Sequence, residues 1–333
     1  MVFRVEKKCS TEQIAQVVRE YAGVTRKHAI GEIIQSLRIE SDNVVVSFGE
    51  DAALIKNNGD GLLLAADGIW SMLMEADPYW AGFCSVLVNV HDIAAMGGTP
   101  LAMVDILSIQ DEQICHEVLR GMADASRKFG VPVVGGHLHP DTQFSAIDVA
   151  ILGTVKPEDA IFSHTAEAGD RIVAAIDLEG RVHPSCALNW DSATLRDTET
   201  VRNQIGVMKT LGERHLVTAG KDISNPGIIG TLGMLLETSK KGAAISLSNI
   251  PKPDLNELGI DFYHWVRMYP GMGFILTAKE ENVEEIIRLF SEVGITAADI
   301  GEIDNTNLLK VRYGDMESKV FDLCEEGIMG LFI

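Results

Sequence analysis

The most informative stretch of this sequence runs Val88-Asn89-Val90-His91-Asp92-Ile93-Ala94-Ala95-Met96-Gly97-Gly98-Thr99-Pro100. Its apolar residues recur at intervals of three and four, which predicts a helix over residues 83–96 with one buried face. Asn89 and Asp92 lie three residues apart, so they are expected to project together from another face of that helix. The next strand is expected at 101–107.

Three further segments place an aspartate beside small or glycine residues, where backbone and carboxylate can both approach a ligand. They are Gly49-Glu50-Asp51-Ala52-Ala53, Ala65-Ala66-Asp67-Gly68 and Gly220-Lys221-Asp222-Ile223-Ser224. The first two follow predicted strands at 44–48 and 62–66, and loops at strand ends commonly carry ligand groups. Carboxylates gathered without cysteine or paired histidine suit a hard cation such as Mg²⁺, which shares its coordination with phosphate oxygens. The sequence therefore predicts an Mg²⁺–nucleotide site assembled from distant segments.

The composition is that of a globular protein with an acidic surface. Of the 333 residues, 46% are hydrophobic and 23% charged, and the length favours two domains. The net charge of −20 disfavours nucleic acid and anionic membranes as partners. The N-terminus is polar and no apolar run reaches the roughly 18 residues of a membrane span, so a cytoplasmic location without membrane contact is expected. Because ATP is also an anion, clustered carboxylates would hold its triphosphate only with metal ions between them.

The cysteines give no sign of a zinc site or a disulfide framework. They are odd in number and none stands in a Cys-x-x-Cys spacing. Most are expected to be small apolar fillers or exposed thiols, and Cys9 is left without a role. The set comprises Cys9, Cys84, Cys115, Cys186 and Cys324.

Strands and helices alternate in both halves of the sequence, which predicts an α/β (α+β) fold with two domains. In the first half, helices are expected at 11–22, 29–38, 83–96 and 111–129, and strands at 44–48, 62–66, 101–107, 131–136 and 146–153. In the second half, strands are expected near 168–177, 243–248, 273–278 and after 300, and helices near 197–218, 226–240 and 281–293. Residues 156–168 have the composition of a linker.

In their order along the chain, these segments resemble the superfamily of aminoimidazole ribonucleotide synthetase. Residues 49–53 resemble its Gly-Asp-Asp-Ala-Ala motif, and residues 66–68 its Thr-Asp-Gly motif. Residues 88–100 resemble its Val-Asn-Val-Asn/Ser-Asp-Ile-Ala-Ala-Met-Gly-x-x-Pro motif almost letter for letter. Residues 221–227 resemble the start of a helix in its C-terminal domain, and residues 271–277 its penultimate strand. Thiamine-monophosphate kinase, selenophosphate synthetase and the hydrogenase-maturation dehydratase belong to the same superfamily.

The resemblance implies a two-domain, ATP-using homodimer. Residues 1–155 would form the N-terminal domain for ATP, Mg²⁺ and dimerisation, and residues 168–333 the C-terminal domain. The N-terminal domains would pair their sheets into a barrel across the dimer, with ATP held between domains by Mg²⁺.

The resemblance also implies a set of ligand residues. By position, the metal-binding aspartates of relatives match Asp51, Asp67, Asp92 and Asp222. Each carboxylate can hold one edge of a Mg²⁺ ion that bridges phosphate oxygens. Asn89 would order a metal-bound water or make a helix-to-loop hydrogen bond. By the same resemblance, Gly135 and Gly136 would bind the nucleotide together with Asp51, Asp67, Asn89 and Asp222.

The substrate side of the site departs from the superfamily. Relatives carry Gly-Gly-Asp-Thr or Gly-Gly-Glu-Thr where this chain has Gly135-Gly136-His137-Leu138-His139, so His137 replaces the acidic side chain directly after a predicted Gly-Gly turn. His137 is therefore a candidate general base, phosphate partner or supporting group. His139 and His91 are further candidates, and a purely structural role is the alternative for each histidine.

A compact basic triplet, Arg26-Lys27-His28, stands out in so acidic a chain and is expected in a loop after Gly23. Because arginine offers a planar fork of donors, Arg26 and Lys27 are expected to clamp a phosphorylated or carboxylated substrate. A solvated helix start is the alternative. Together with Gly-Gly-His-x-His-Pro, the triplet resembles the branch known as methanogenesis marker protein 2.

These observations predict an enzyme that transfers the γ-phosphoryl group of ATP to an unknown small molecule, or uses it to activate an oxygen of that molecule. The aspartates, with Asp92 central among them, would hold Mg²⁺, His137 would assist the acceptor, and Arg26 would clamp it. Kinase and synthetase reactions share the first step and differ in whether a nitrogen or sulfur nucleophile then displaces the phosphate. The alternative is a sensor or assembly protein of the same fold that binds ATP without turning it over.

Overall fold

Two β-sheets, one in each half of the chain, organise the fold. The computed structural model describes residues 10–37, 41–271 and 273–331, and Cys9 lies outside them. The helices are α1 (Thr11–Arg19), α2 (Ala22–Thr25), α3 (Ile30–Leu37), α4 (Ser71–Ala76), α5 (Pro78–Ala95), α6 (Glu112–Phe129), α7 (Thr198–Glu213), α8 (Gly227–Ser239), α9 (Leu255–Leu258), α10 (Phe262–Trp265) and α11 (Glu280–Glu292). The strands are β1 (Val44–Val46), β2 (Ala53–Asn57), β3 (Asp60–Ile69), β4 (Thr99–Ser108), β5 (Val133–His139), β6 (Ala146–Val155), β7 (Arg171–Ile176), β8 (Arg181–His183), β9 (Cys186–Asp191), β10 (Ala219–Asp222), β11 (Gly242–Ser246), β12 (Gly273–Ala278), β13 (Thr296–Asp304), β14 (Leu308–Tyr313) and β15 (Met316–Asp322).

The first sheet is covered by helices on one face. Its strands lie in the order β1-β2-β3-β6-β4-β5, with β4 and β5 parallel and the other pairs antiparallel. Leu63, Met103 and Ile151 are buried on the face that packs on α5, and α6 packs on α5 in turn. On the opposite face, Leu64 and Ile106 remain 46% and 47% exposed. Side chains on the solvent-facing side of a sheet are normally polar, so the exposed aliphatic side chains on this face require an explanation.

Helix α5 is buried on nearly all sides because it lies between the first sheet and the second half of the chain. It begins at Asp77, whose side chain accepts a hydrogen bond from the Trp80 backbone N–H at 3.0 Å, and a proline occupies its first position. Gly82 lets α6 approach closely, since a Cβ there would lie 2.1 Å from a backbone carbonyl oxygen of α6. This helix carries Asp92 into the centre of the molecule.

The second sheet is covered on both faces. Its strands lie in the order β10-β12-β7-β13-β11-β14-β15, with β11 and β14 parallel. Alternate residues of the central strand β7 enter two different cores: Ile172 packs in the core that contains α8, and Val173 in the core formed with α7 and α11. Burial on both faces explains why β7 is a continuous apolar run rather than an alternating one.

The first helices pack on the second sheet, although they precede the first one in sequence. Ile14 and Val18 of α1 lie in the same core as α8, and the Arg19 guanidinium donates to the Lys319 carbonyl of β15 at 2.9 Å. A first domain of residues 1–155, as expected from the sequence, would place these helices with the first sheet. The packing differs because the apolar stripe of α1 finds its cover on β14 and β15.

The mixed α/β architecture is confirmed, and most predicted elements occur within a few residues of their expected bounds. The strands β2 and β10, the hairpin β8–β9 and the short helices α2, α4, α9 and α10 are not among the predicted elements. The triplet at 26–28 forms part of a 3-10 turn, Arg26–Ala29, and not a loop, because α2 leads directly into it.

Among the described residues, no helix combines the length and apolar character needed to cross a membrane.

Candidate metal centre

Three aspartates that are distant in the sequence meet between the two sheets. Asp51 lies in the loop before β2, Asp92 in the last turn of α5, and Asp222 at the end of β10. Carboxylate oxygens of all three lie within 4.8 Å of one another. The structure thus brings together three of the four aspartates singled out in the sequence.

The elements that carry these aspartates set the surroundings of Asp51 and Asp92. The backbone N–H of Asp222 donates to Asp51 Oδ2 at 3.3 Å, which joins the β10 end to the β2 loop. Asp92 stands near the end of α5 where unpaired carbonyls form the negative pole of the helix, a place that disfavours a carboxylate. An acid at this position is stabilised when a cation lies beside it.

Lys221 supplies a buried positive charge to the group. Its side chain is 6% exposed, and its ammonium contacts the Asp51 carboxylate, which is 5% exposed. Burial alone would lower the pKa of Lys221, but the charges of Asp51 and Asp222 outweigh it and raise that pKa above its usual range. Lys221 is a site residue that the motifs do not reveal, although a lysine inside the short, mostly apolar run Ala219-Gly220-Lys221-Asp222-Ile223 is a usable signal, since lysine is rarely buried unless paired.

The carboxylates resist ionisation in this arrangement. Burial raises the pKa of Asp92 well above its usual value, and the charges of the neighbouring aspartates raise it further. Burial also raises the pKa of Asp222 to about 8 and raises that of Asp51, although Lys221 opposes both shifts. Mutual repulsion of buried acids is relieved when a divalent cation binds among them.

Asp67 lies beside this group but outside the set within 4.8 Å. It is part of β3, which continues to Ile69, and not of a loop after the strand as predicted. The residue is exposed, yet the protein atoms around its carboxyl desolvate it enough to raise its pKa, while Lys27 and Lys221 oppose that rise. Asp67 is therefore a neighbour of the carboxylate group rather than a member of it.

The basic triplet adjoins the same group. The charge of Lys27 lowers the pKa of both Asp67 and Asp222, so its ammonium lies within electrostatic reach of the carboxylates. Arg26 lies over the Trp70 ring, with 5.8 Å between its Cζ atom and the ring centroid. Lys27 is therefore close to Asp67 and Asp222, and Arg26 is close to Trp70, the residue that follows β3.

The polar neighbours of Asp92 on α5 have different surroundings. Asn89 is fully buried, and its Nδ2 donates to the Ser85 carbonyl of its own helix at 2.8 Å, while its Oδ1 has no partner among the described residues. The ring of His91 stacks on Phe274 with centroids 5.3 Å apart, and burial lowers its pKa to about 4. This packing of a neutral imidazole favours the structural alternative for His91. Its ring also lines a cavity of about 20 Å³, enough for one water molecule.

The histidine motif lies at the edge of the first sheet. Gly135 and Gly136 are inside β5 and do not form the predicted turn, because the strand pairs with β4 from 133 to 139. The exposed rings of His137 and His139 contact each other edge-on, with centroids 4.5 Å apart. Within the described part of the chain, neither histidine belongs to the carboxylate group.

Glu50 ties the Asp51 loop to the segment between the two halves. Its Oε2 accepts from the Ser163 backbone N–H at 2.6 Å, and its Oε1 contacts His164 Nδ1 at 2.5 Å. The Ser163 carbonyl accepts from Thr238 Oγ1 of α8 at 2.9 Å. The residue that replaces the first aspartate of the Gly-Asp-Asp-Ala-Ala motif thus positions the loop.

The Glu50–His164 pair predicts a pH-dependent contribution to stability. The hydrogen bond to Glu50 raises the pKa of His164, so the stabilisation is complete below the unfolded pKa of about 6.5 and is lost as the pH rises through the folded pKa. Urea unfolding of wild type and His164→Gln should differ by under about 1 kcal/mol near pH 5.5, since the ring is half-exposed, and should converge near pH 8.5. The same substitution in a Glu50→Gln background should show no such convergence. An equal difference at both pH values would contradict the assignment.

Comparison with known proteins gives two domain matches in order. The family described as AIR synthase related protein matches with its N-terminal domain over residues 49–155 and with its C-terminal domain over residues 167–314. An uncharacterised protein of Methanocaldococcus jannaschii is 45% identical over 324 residues, which cover 96% of this chain and 99% of that protein. The selenide, water dikinase of Carboxydothermus hydrogenoformans is 23% identical over 339 residues, covering 89% and 92%.

Solved structures share the fold at low sequence identity. Thermotoga maritima PurL complexed with FGAR superposes with a TM-score of 0.76 at 18% identity, over 95% of this chain and 53% of that one. AaThiL complexed with AMPPCP and TMP gives a TM-score of 0.67 at 18% identity, over 88% and 96%. The resemblance to the methanogenesis marker protein 2 branch stays a prediction. On the two domain matches and the near full-length relative, this chain belongs to the AIR synthase related family.

Proposed function

We propose that this protein is a Mg²⁺-dependent, ATP-using enzyme that phosphorylates or phosphoryl-activates a small molecule. The observation that carries the proposal is the meeting of Asp51, Asp92 and Asp222 beside a buried lysine. The family also contains a selenide, water dikinase, and a ThiL protein of the same fold binds AMPPCP, an ATP analogue. These relatives support ATP as the phosphoryl donor.

The donor atoms fit Mg²⁺. The described members of the group are hard carboxylate oxygens, and their spacing within 4.8 Å compares with about 4.2 Å between oxygens on opposite sides of a Mg²⁺ ion. Asp51, Asp92 and Asp222 would hold the ion, with Asp67 beside them, and Asn89, whose Oδ1 has no partner among the described residues, remains a candidate to order a metal-bound water. When bound, Mg²⁺ supplies neutralisation of the charge on the triphosphate oxygens.

The charges of the chain's own residues suit one divalent ion. Three carboxylates and the Lys221 ammonium sum to −2 when all are ionised, which one Mg²⁺ balances. Lys221 also favours the ionised form of Asp51 and fixes its orientation before any ligand arrives, against the burial that raises the pKa of that carboxyl. In water-excluded surroundings such preorganised charges act strongly on a phosphoryl group without rearranging.

A cleft beside the Asp51 loop is the best candidate for the nucleoside of ATP. It has a volume of about 340 Å³, in the range of small-molecule sites. Phe48, which is 48% exposed, Glu50 and His164 line one part of it, and Thr238 and Leu331 another. Its position next to the carboxylates would direct the triphosphate toward them.

The acceptor would lie on the side of Lys27 and Arg26. Lys27 is within electrostatic reach of Asp67 and Asp222, so it can stabilise charge on the transferred phosphoryl group. His137 remains a candidate for acceptor contact, although it lies at the edge of the first sheet and would act there only across an interface with a second copy.

The proposal is tested by following γ-labelled ATP with Mg²⁺ and fractions of small molecules from a cell extract. A kinase would leave the label on an organic product, and a synthetase would release it as inorganic phosphate together with ADP and a new product. Acceptor-dependent ADP formation in either form supports the proposal. ATP that stays bound and uncleaved with every fraction would contradict it and favour the sensor alternative.

We also propose that the protein is a homodimer joined through the open face of its first sheet. Leu64 pairs with Leu152 across β3 and β6, and Val104 and Ile106 continue the same face on β4. These four side chains are between 36% and 47% exposed, which is unusual for neighbouring aliphatic residues on one sheet face. Pairing with the same face of a second copy would bury them, as the family resemblance implies.

The dimer proposal predicts that Leu152→Glu yields a monomer. Leu152 pairs with Leu64 on one side and with Ala102 on the other, so its substitution would bury an unpaired carboxylate among aliphatic side chains and weaken association by at least about a hundredfold. Light scattering after size exclusion should give about twice the chain mass of 36.2 kDa for wild type and the single mass for the variant. Leu195→Glu, at a loop leucine that is 76% exposed, is the matched control and should remain dimeric. A monomeric wild type at micromolar concentration would refute the proposal.

A further inference from the structure

Arg26 presents a guanidinium that no described carboxylate neutralises. Within residues 10–37, 41–271 and 273–331, it forms no ion pair or hydrogen bond, and its described contact is with the Trp70 ring at 5.8 Å. Trp70 is itself 49% exposed. In a chain of net charge −20, an exposed arginine without a carboxylate partner is unusual. The pair offers a flat aromatic surface and five hydrogen-bond donors at the same place.

Two tyrosines and a second arginine extend this place. The Arg267 Cζ atom lies 5.8 Å from the centroid of the Tyr21 ring, and Arg267 Nε donates to a backbone carbonyl. Burial raises the pKa of both Tyr21 and Tyr269, and the charge of Arg26 opposes the rise at both phenols. Arg26 is therefore close to three aromatic side chains. We refer to Tyr21, Arg26, Trp70, Arg267 and Tyr269 as the Arg26 cluster.

The chain joins this cluster directly to the metal-binding candidates. Lys27 follows Arg26 and lies within electrostatic reach of Asp67 and Asp222, while Trp70 follows Asp67 by three residues at the end of β3. A molecule bound at the Arg26 cluster would thus extend toward the carboxylates, where the γ-phosphoryl group of ATP is proposed to lie.

We infer that the acceptor is a planar, conjugated molecule that carries a carboxylate or phosphate group, bound at the Arg26 cluster. The inference rests on the proposed function and adds a substrate class to it. Guanidinium groups bind such anions through paired hydrogen bonds, and the exposed Trp70 ring can stack on a flat group. A purely structural cation–π contact would not require an arginine free of other partners beside an exposed tryptophan.

An anionic acceptor also fits the chemistry available here. An oxygen of its carboxylate or phosphate would attack the γ-phosphorus; the new O–P bond forms as the bond from the γ-phosphorus to the β,γ-bridging oxygen breaks, and that oxygen leaves with its electron pair as part of ADP. The nucleophile is already deprotonated, so no proton has to be removed. This agrees with the absence of a histidine from the carboxylate group within the described residues.

Tryptophan fluorescence provides a direct test, because Trp70 is exposed whereas Trp80, Trp190 and Trp265 are at most 1% exposed. Phenyl phosphate and benzoate are the probes, and benzyl alcohol and inorganic phosphate supply the ring and the charge separately. We expect saturable quenching by the two aromatic anions, at least about tenfold weaker with either separate component and in Arg26→Ala. Trp70→Phe should remove the signal while the buried tryptophans report an intact fold. Arg312→Ala, an exposed arginine on β14, is the matched control.

The result separates this inference from the proposed function. Quenching by phenyl phosphate that persists in Asp92→Asn, a variant expected to bind Mg²⁺–ATP at least about 100-fold more weakly, would support the acceptor site independently. Absence of saturable quenching, or equal binding of benzyl alcohol or inorganic phosphate, would overturn the inference even if Mg²⁺–ATP binds normally. Phenyl phosphate binding without any Mg²⁺–ATP binding in wild type would instead leave the site standing and refute the proposed function.

Discussion

Replacing Lys221 with methionine should destabilise the folded protein by about 3–5 kcal/mol, the range observed when one partner of a buried ion pair is removed. The lysine is 6% exposed and contacts Asp51, which is 5% exposed, so neither group has water to replace its partner. Without the ammonium, three carboxylates within 4.8 Å of one another would lose the buried positive charge that contacts Asp51. Equilibrium unfolding in urea at neutral pH measures the loss.

Two comparisons make this result specific. Asp51→Asn added to Lys221→Met should recover part of the lost stability, because the unpaired carboxylate is removed, and the double-mutant cycle gives the coupling energy. Lys209→Met removes an exposed lysine whose ion pair with Glu213 spans 3.8 Å and should cost at most about 1 kcal/mol. A loss for Lys221→Met no larger than that for Lys209→Met would show that Lys221 does not balance the buried acids.

Replacing Asp92 with asparagine should move ligand binding and stability in opposite directions. Substitution of groups that only orient metal ligands costs 10–100-fold in affinity, so loss of a proposed ligand should weaken Mg²⁺–ATP binding at least about 100-fold. Metal-free stability should stay equal or rise, because burial and neighbouring charges already raise the pKa of Asp92 and asparagine mimics the neutral acid. Calorimetric titration and thermal unfolding without Mg²⁺ measure the two effects.

The matched control for this substitution is Asp141→Asn, which makes the same chemical change at an exposed residue of the loop after β5. It should change neither binding nor stability appreciably. If Asp92→Asn binds Mg²⁺–ATP as wild type does, Asp92 is not a ligand. If it lowers metal-free stability strongly, groups of the folded chain other than a bound cation stabilise the charge of Asp92.

The convergence of Asp51, Asp92 and Asp222 was accessible from sequence because each aspartate sits in a motif whose order along the chain resembles one known superfamily. The helix that carries Asp92 was also accessible, since its apolar spacing is strong over several turns. Periodicity does not reveal how far a strand continues, so it predicts a loop at Asp67 although β3 runs through this residue. The same limit applies to Gly135 and Gly136, where pairing with β4 overrides the turn tendency of adjacent glycines.

Features that depend on long-range packing were beyond the sequence argument. The apolar stripe of α1 predicts a buried face but not that its cover comes from β14 and β15, some 300 positions later. The role of Lys221 required knowing that β10 is a strand and that its end meets the loop of Asp51. The Arg26 cluster likewise combines the residues on either side of α2, the residue after β3 and the segment before β12, which no local pattern connects.

The most direct measurement is a calorimetric titration of the wild-type protein with ATP, in the presence and in the absence of Mg²⁺. The carboxylate group described here predicts saturable binding that requires Mg²⁺, because three acids beside one lysine repel an unneutralised triphosphate. Absence of binding at millimolar ATP in both conditions would contradict it, and so would equally tight binding without any divalent cation.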